Sequence, residues 1–219
     1  SEMCIRDRFS VSSQHYAFVV NAFVSLLKRA DMTRYELFLR ETRTYEIIED
    51  VKNFRSEIGV LFLNSYNRDV LTKMFDDNRL TYTSLFKARP HIFVSKSNPL
   101  AKHEVVSLED LEDFPYLSYD QGIHNSFYYS EEILSQIPHK KSIVVSDRAT
   151  LFNLLIGLDG YTIATGILNS NLNGDNIVSI PLDIDDEIDI VYLKHEKATL
   201  SKMGEKFLDN LVKEVTFDN

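Results

Sequence analysis

Patterns of apolar positions typical of strands and helices alternate along the chain. A short strand pattern at Phe9–Val11 is followed by a helix to about Lys28, whose apolar residues recur at i, i+3 and i+4 spacing. The run Glu57–Leu63 is almost continuously apolar, which is typical of a central parallel strand covered on both faces. A last helix begins near Leu200. This alternation predicts an α/β fold.

The remaining elements follow from the same patterns. Helices are predicted after Thr44, over Arg68–Phe75, over Ser126–Gln136 and from Ser146-Asp147 to Leu158. Strands are predicted at Tyr35–Arg40, Thr81–Phe86, His91–Ser95, Tyr116–Tyr119, Ser142–Val145, Gly160–Ala164, Ile177–Ile180 and Glu187–Lys194.

The first predicted helix is apolar on two sides. Its main stripe includes Val19 and Phe23, and Tyr16, Val20 and Val24 extend the apolar arc around a second side. Such a helix needs two packing partners, and one of them is its own sheet. The second partner is either another subunit or the interior of the monomer, and the pattern leaves both readings open.

Length and composition allow a substantial core. The chain has 219 residues, 44% of them apolar, which fits one large domain or two smaller lobes. No apolar run approaches the ~18 residues that a membrane span needs, and Ser1–Arg8 is charged rather than a signal peptide. We therefore expect a cytoplasmic protein with no membrane partner. Residues 1–8 match no later pattern and are interpreted as a tag or an unrelated segment.

Signatures of catalysis are weak. The single cysteine, Cys4, cannot build a disulfide framework, and its position near the end of the sequence argues against a nucleophile. The six histidines show no metal-ligand spacing, and the dinucleotide, hydrolase-elbow and zinc-protease motifs do not occur. The acidic run Asp183–Asp189 is interpreted as a solvated loop rather than a cation site. We expect no enzymatic activity, no catalytic residue, no cofactor and no metal.

The net charge of −9 argues against nucleic-acid binding by these residues. Lys140-Lys141 is the longest basic pair in the latter half of the sequence, and two adjacent lysines are typical of a solvated loop.

Small polar turns follow several predicted strands and precede predicted helices. They occur at Ser12-Ser13-Gln14, Asn64-Ser65, Tyr119-Asp120-Gln121 and Ser146-Asp147. In an open α/β sheet such turns lie at the carboxyl ends of the strands, where ligands bind. Helix N-termini there present free N–H groups that suit a carboxylate, a sulfate or an amino acid. The alternative is that these residues only cap their helices.

Several segments resemble one family in order and spacing. FSVSSQHYAFVV at Phe9–Val20, HIFVSKSNPLA at His91–Ala101, SLEDLEDFPYL at Ser107–Leu117 and the segment Ser146–Gly166 resemble the effector-binding domain of LysR-type transcriptional regulators. The resemblance covers nearly the whole chain from Phe9. It implies two Rossmann-like lobes of the type II periplasmic-binding-protein kind, joined by two crossover strands. Lobe I would comprise 9–87 and 191–219, and lobe II 88–190.

The resemblance also implies a ligand site between the lobes. Residues carried over from the family's site are Ser12, Ser13, Gln14, Asn64, Ser65, Tyr119, Asp120, Ser146 and Thr165. The turn Ser12-Ser13-Gln14 is similar to that of regulators of cysteine and methionine metabolism, which implies an amino-acid or sulfur metabolite as the effector.

The function implied is that of a small-molecule sensor. A homodimer is expected, within a tetramer in the intact regulator, and DNA binding would belong to a winged helix-turn-helix that these residues do not include. Two other functions remain as alternatives. A solute-binding protein of a transporter would share the fold but needs export, and an enzyme on the same fold would need the motifs noted above as missing.

Overall fold

The strands of the protein form two groups that sit in separate parts of the molecule. A computed structural model describes residues 7–29, 33–168 and 170–217. The strands are β1 (Asp7–Ser13), β2 (Tyr35–Glu41), β3 (Ile58–Leu63), β4 (Leu80–Ala88), β5 (His91–Ser95), β6 (Tyr116–Tyr119), β7 (Ser142–Val145), β8 (Thr162–Ala164), β9 (Ile177–Pro181) and β10 (Ile188–His195). The α-helices are α1 (Ala17–Arg29), α2 (Thr44–Lys52), α3 (Arg68–Asp77), α4 (Arg148–Leu158), α5 (Ser170–Asn173) and α6 (Lys202–Phe217).

The first lobe is built on a five-stranded sheet in the order β2-β1-β3-β10-β4. β1 runs parallel to β2 and β3, and β10 runs antiparallel to β3 and β4. All six residues of β3 are buried because both faces of the sheet are covered. Val60 and Phe62 join the core beneath α1 and α6, whereas Leu61 and Leu63 join the core beneath α2 and α3. The central parallel strand predicted from the sequence is confirmed.

The second lobe contains a three-stranded sheet, β8-β5-β9, and a pair of parallel strands, β6-β7. A parallel bridge between Tyr116 and Tyr161 links the two pieces. Helix α4 packs its buried Leu151 and Leu155 against this lobe in a core that includes Phe93. The second lobe therefore has an apolar core of its own.

The chain passes between the lobes twice. It enters the second lobe between β4 and β5 and returns between β9 and β10, and Ala88 pairs with Ile188 where the two connections meet. β10 begins at Ile188, and Asp7 and Arg8 already belong to β1. The boundaries 9–87, 88–190 and 191–219 remain interpretations. Cys4 and the rest of residues 1–6 lie outside the described residues.

One predicted helix is wrong. The segment Ser126–Gln136 contains only a single 3₁₀ turn, at Phe127–Tyr129, followed by bends and turns. Ser130 has extended backbone, and Leu134 has a φ of 62°. The apolar spacing is helical, but the Glu131 side chain is used in hydrogen bonds to other segments, so tertiary contacts determine the backbone here.

Three predicted helix caps are also placed differently. Ser12 and Ser13 are the last residues of β1, and α1 begins only at Ala17, so neither serine caps it. Thr44 is the first residue of α2 rather than the residue before it. Asp147 does cap α4, because its carboxylate accepts a hydrogen bond from the backbone N–H of Thr150 at 2.8 Å.

Helix α1 packs mainly within the first lobe. Its buried residues include Val19, Phe23 and Leu26, and its main helical neighbour is α6. Val20 and Val24, on the second apolar side, stay half-buried. A monomer interior and a subunit contact therefore both remain compatible with the second side.

Two kinds of feature are missing from the described ranges. None of the helices in 7–29, 33–168 and 170–217 is both long and apolar enough to cross a bilayer. Within the same ranges no three His, Cys, Asp or Glu side chains come together as a metal site.

Candidate functional site

A cavity of about 50 Å³ lies between the two lobes. The sheet of the first lobe contributes the junction between β1 and α1, one residue of β3 and the first residue of β10. The second lobe contributes one residue of β5, the end of β6, the irregular segment after it, the first turns of α4, and β8 with residues that follow it. The lining residues used below are His15, Tyr16, Phe18, Phe62, Phe93, Tyr119, Glu131, Glu132, Arg148, Phe152 and Thr165.

Aromatic rings make up much of the cavity wall. His15 of the first lobe stacks on Tyr119 of the second, with ring centroids 4.0 Å apart and an interplanar angle of 8°. Tyr16 stacks on Phe18 with centroids 4.6 Å apart. Rings supply large apolar contact area together with negative faces, so the wall suits a ligand with a compact apolar body.

The carboxylate of Glu131 joins the two lobes at the start of α1. Its Oε1 accepts hydrogen bonds from the backbone N–H of His15 and from the His15 ring, each at 2.8 Å. Its Oε2 accepts from Nε2 of Gln121 at 2.9 Å. The N-terminus of a helix attracts anions, and here a side chain of the protein's own second lobe takes that position.

A second ion pair joins the lobes beside the first. Arg148, the first residue of α4, places Nε 2.5 Å and Nη2 3.3 Å from the carboxylate oxygens of Glu41 at the end of β2. Both side chains are largely buried, with 19% and 24% exposed. We call the His15–Glu131 and Glu41–Arg148 contacts together the interlobe latch. Bidentate arginine–carboxylate pairs are strong and directional, so the latch fixes the relative position of the lobes.

Further polar contacts join the two lobes at the start of α2. Thr44 donates its backbone N–H to the Gln121 side chain at 3.0 Å and its hydroxyl to the Tyr129 carbonyl at 2.7 Å. Arg43 and Asp120 form a half-exposed ion pair at 3.0 Å. Polar contacts therefore hold the two lobes together on the α2 side as well.

Glu132 is the least compensated acidic group at the cavity. The residue is 4% exposed, and its carboxyl group is hydrogen-bonded to two backbone N–H groups, that of Tyr119 at 3.2 Å from Oε2 and its own. Among the described residues no Lys, Arg or His nitrogen lies within 4.0 Å of its carboxylate. Burial raises the pKa of the Glu132 carboxyl well above its usual value, and the charge of Glu131 raises it further.

The protonation of His15 depends on the latch. Burial lowers the pKa of His15, but the hydrogen bond and the negative charge of Glu131 outweigh that effect, with a smaller contribution from Glu41. The net pKa of His15 is therefore raised above its ordinary value, and the protonated ring is favoured while Glu131 is bound to it.

Two of the nine predicted site residues line the cavity, namely Tyr119 and Thr165. Gln14 lies directly behind its wall. The Gln14 side-chain oxygen accepts hydrogen bonds from the Tyr16 hydroxyl at 2.7 Å and from the Phe62 N–H at 3.0 Å. Its Nε2 donates to Thr44 at 2.8 Å, so Gln14 positions wall residues rather than facing the cavity.

The first-strand serines lie away from the cavity. Ser12 is fully buried between Asp50 and Ser56, at 2.6 and 2.7 Å. Ser13 is also fully buried, and its hydroxyl donates to the Gln14 carbonyl. Both hydroxyls are engaged inside the first lobe, so they do not reach the site as the structure stands.

The other predicted site residues are also elsewhere. Asn64 makes a local turn, with its side-chain oxygen accepting from the N–H of Tyr66 and of Asn67. Ser65 and Ser146 are exposed, and Asp120 pairs with Arg43. None of these four lines the cavity, and their role in ligand binding remains a prediction.

Four ionisable residues at the cavity were not predicted from the sequence, namely His15, Glu131, Glu132 and Arg148. A weak signal existed in the pair Glu131-Glu132, because two adjacent acids in a stretch rich in aromatic and apolar residues are unusual on a buried face. Arg148 is simply the first residue of a capped helix, and nothing in the sequence marks Glu41 as its partner.

The chain was compared with known families and structures. The family model described as "LysR substrate binding domain" matches residues 17–216. No curated protein matches the sequence. The fold is similar to the effector-binding domain of QuiR in complex with shikimate, at a TM-score of 0.61 and 15% identity over 95% of this chain and 97% of that one.

Two further structures are similar over nearly the whole of this chain. A BenM variant's effector-binding domain matches at a TM-score of 0.63 and 15% identity, over 97% of this chain and 96% of that one. A full-length OxyR variant from Pseudomonas aeruginosa matches at 0.67 and 10% identity, over 100% of this chain and 70% of that one. These matches support the type II periplasmic-binding-like, two-lobed architecture expected from the sequence.

The matched family and these neighbours are regulatory domains rather than enzymes. The family model begins at the first residue of α1 and covers most of both lobes, including all the cavity-lining residues except His15 and Tyr16. The protein therefore belongs to the family of LysR substrate-binding domains.

Proposed function

We propose that the interlobe cavity binds a small-molecule effector and that binding shifts the protein between two arrangements of its lobes. The observation that carries this proposal is the composition of the cavity. Both lobes supply its walls, and polar contacts between the lobes surround it. A ligand bound there contacts both lobes at once, so its affinity depends on how they are arranged.

The size of the cavity supports a mechanism with lobe movement. Pockets for metabolite-sized ligands usually have volumes of roughly 300–1,000 Å³. The cavity here has about 50 Å³, room for a few water molecules only. A metabolite-sized effector therefore requires the lobes to separate, and separation breaks the interlobe latch. The free energy of the latch contacts then lowers the apparent affinity for the effector, because part of the binding free energy is needed to break them.

The identity of the effector remains a proposal. The resemblance of Ser12-Ser13-Gln14 to the cysteine and methionine regulators suggests a sulfur metabolite, and the similar QuiR domain binds shikimate. Ser12, Ser13 and Gln14 are all buried and hydrogen-bonded within the first lobe. An anionic effector at the start of α1 would have to displace Glu131, so these side chains give an anion little support.

The compartment, the DNA-binding partner domain and the oligomeric state are also proposed from the family. A cytoplasmic regulator would bind DNA through a separate domain and assemble as a homodimer. The half-buried Val20 and Val24 on the second side of α1 leave apolar surface that a subunit contact would cover. Gel filtration at several protein concentrations tests the dimer, and a strict monomer at high concentration contradicts it.

Effector binding is expected to change the fluorescence of a tryptophan placed in the cavity wall. The sequence contains no tryptophan, so the variant Phe152→Trp carries a single reporter in a half-buried position. A ligand that changes the cavity should shift its emission and should also stabilise the fold, by about 2.7 kcal/mol at a hundredfold excess over Kd. A metabolite library screened by both measurements tests the proposal.

The matched control is Phe54→Trp, because Phe54 is 62% exposed and does not line the cavity. Compounds that bind between the lobes should leave its emission almost unchanged. A compound that stabilises the protein but perturbs only the Phe54→Trp reporter would contradict the assignment of the site.

A further inference from the structure

We propose that the effector carries a cationic ammonium group on an apolar body, and that the carboxylate of Glu132 binds this group. The inference rests on the proposed function, because it names the ligand class of the same interlobe cavity. It does not follow from the family match, which gives no charge for the ligand.

The pairing of charges around the cavity leaves one carboxyl group without a cation. Glu131 is paired with His15 at 2.8 Å, and Arg148 is paired with Glu41 at 2.5 Å. Glu132 lines the cavity and is only 4% exposed, yet its carboxyl group is hydrogen-bonded to backbone N–H groups, those of Tyr119 and of Glu132 itself, and to no cation among the described residues. A buried carboxylate without a cation is costly, and a ligand cation removes that cost.

The rest of the wall fits the same ligand. Phe18, Phe62 and Phe152 line the cavity, and aromatic side chains suit either an apolar body or a positive charge. The net charge of −9 also favours the approach of cations over anions. A carboxylate ligand, in contrast, would lie beside Glu131 and Glu132 and could recruit Arg148 only by taking it from Glu41.

Binding of an amine should release a proton. The ionisable groups that line the cavity with Glu132 are Glu131, Tyr16, Tyr119, His15 and Arg148, and Tyr116 lies close enough behind the wall for Glu132 to act on it electrostatically. This environment favours the protonated carboxyl when no cation is present. An ammonium ligand favours the carboxylate, so the carboxyl proton leaves to solvent as the ion pair forms, and affinity should rise with pH.

Three probes with the same phenyl ring and a small polar group test the charge preference. Benzylamine, benzyl alcohol and benzoate are titrated calorimetrically into the whole protein, its Glu132→Gln variant and the control Glu205→Gln, whose side chain is exposed on α6. We expect benzylamine to bind about ten- to a hundredfold more tightly than benzyl alcohol to the wild type and to Glu205→Gln. Glu132→Gln should lose this preference.

Proton release gives a second readout that needs no variant. Repeating the benzylamine titration in buffers of different ionisation enthalpy should show up to about one proton released per ligand. If Glu132→Gln does not fold, Glu132→Asp keeps the charge, and its preference for benzylamine over benzyl alcohol tests the same point.

The outcomes separate the two proposals. Tighter binding of benzoate or benzyl alcohol, detected by the Phe152→Trp reporter, overturns the cationic ligand and leaves the effector site standing. An equal preference for benzylamine in the wild type and Glu132→Gln also overturns the role of Glu132. If none of the three probes binds at concentrations up to roughly 10 mM, about tenfold above the Kd of a weak ligand, the proposal of a cationic ligand is overturned. The metabolite screen then decides separately whether the cavity is the effector site.

Discussion

Replacing Gln14 by alanine is expected to lower the free energy of unfolding by roughly 3–5 kcal/mol. The Gln14 side chain is 1% exposed and makes three hydrogen bonds, to Tyr16, Thr44 and the Phe62 backbone. Alanine leaves the Phe62 N–H and the Tyr16 hydroxyl without acceptors, and each unpaired buried donor costs about 1–3 kcal/mol. Urea unfolding followed by circular dichroism measures the loss.

The matched control for this change is Ser65→Ala. Ser65 was assigned to the same predicted site but is exposed, so its free energy of unfolding should change by about 0.5 kcal/mol or less. Equal stability of the two variants would contradict a structural role for Gln14. A stable Gln14→Ala protein with reduced ligand affinity would favour direct ligand contact instead.

Replacing Glu131 by alanine is expected to weaken the contact between the lobes and to cost roughly 2–4 kcal/mol. The change removes the acceptor for the His15 backbone N–H, the His15 ring and the Gln121 amide, all at buried or half-buried positions. Small-angle X-ray scattering should show a larger radius of gyration if the second lobe moves away. The control is Glu104→Ala, an exposed acid in the second lobe, which should change neither quantity.

The cost of Glu131→Ala should depend on pH. The pKa of His15 is raised in the folded protein, so the stability it contributes is fully present below its unfolded value of about 6.5 and is lost as pH rises through the folded value. The stability difference between wild type and Glu131→Ala should therefore shrink from pH 6 to pH 9. A constant difference across this window would mean that His15 stays neutral in the latch.

Apolar periodicity predicts the parts of this fold where each side chain is plainly either buried in a core or exposed to solvent. β3 is apolar throughout because Val60 and Leu61 face different cores on opposite sides of one sheet, and its pattern therefore identifies a central strand. β6 and β7 begin and end at the predicted residues. The start of α4 is predicted because an aspartate cap acts locally, within three residues of Thr150.

The candidate site is harder to predict because its charges meet across long sequence separations. Glu131 lies 116 residues from His15, and Arg148 lies 107 residues from Glu41. Each pair exists only after both lobes have folded, and no local spacing encodes it. Hydroxyl groups such as that of Ser12 lead to the opposite error, in which a ligand contact is predicted and an internal one is found. A small polar residue at the end of a strand can hydrogen-bond to buried side chains of the protein as readily as to a ligand.

The two connections between the lobes also have a consequence for how effector sensitivity is adjusted. They lie side by side where Ala88 pairs with Ile188, so the proposed opening would rotate the second lobe about this one line. Ile188 lies both at this line and in the cavity wall, whereas Glu41, the partner of Arg148, belongs to β2 at the opposite edge of the sheet from β4. Substitution of Glu41, which does not line the cavity, would therefore change the effector concentration needed for opening without altering a surface that the effector contacts.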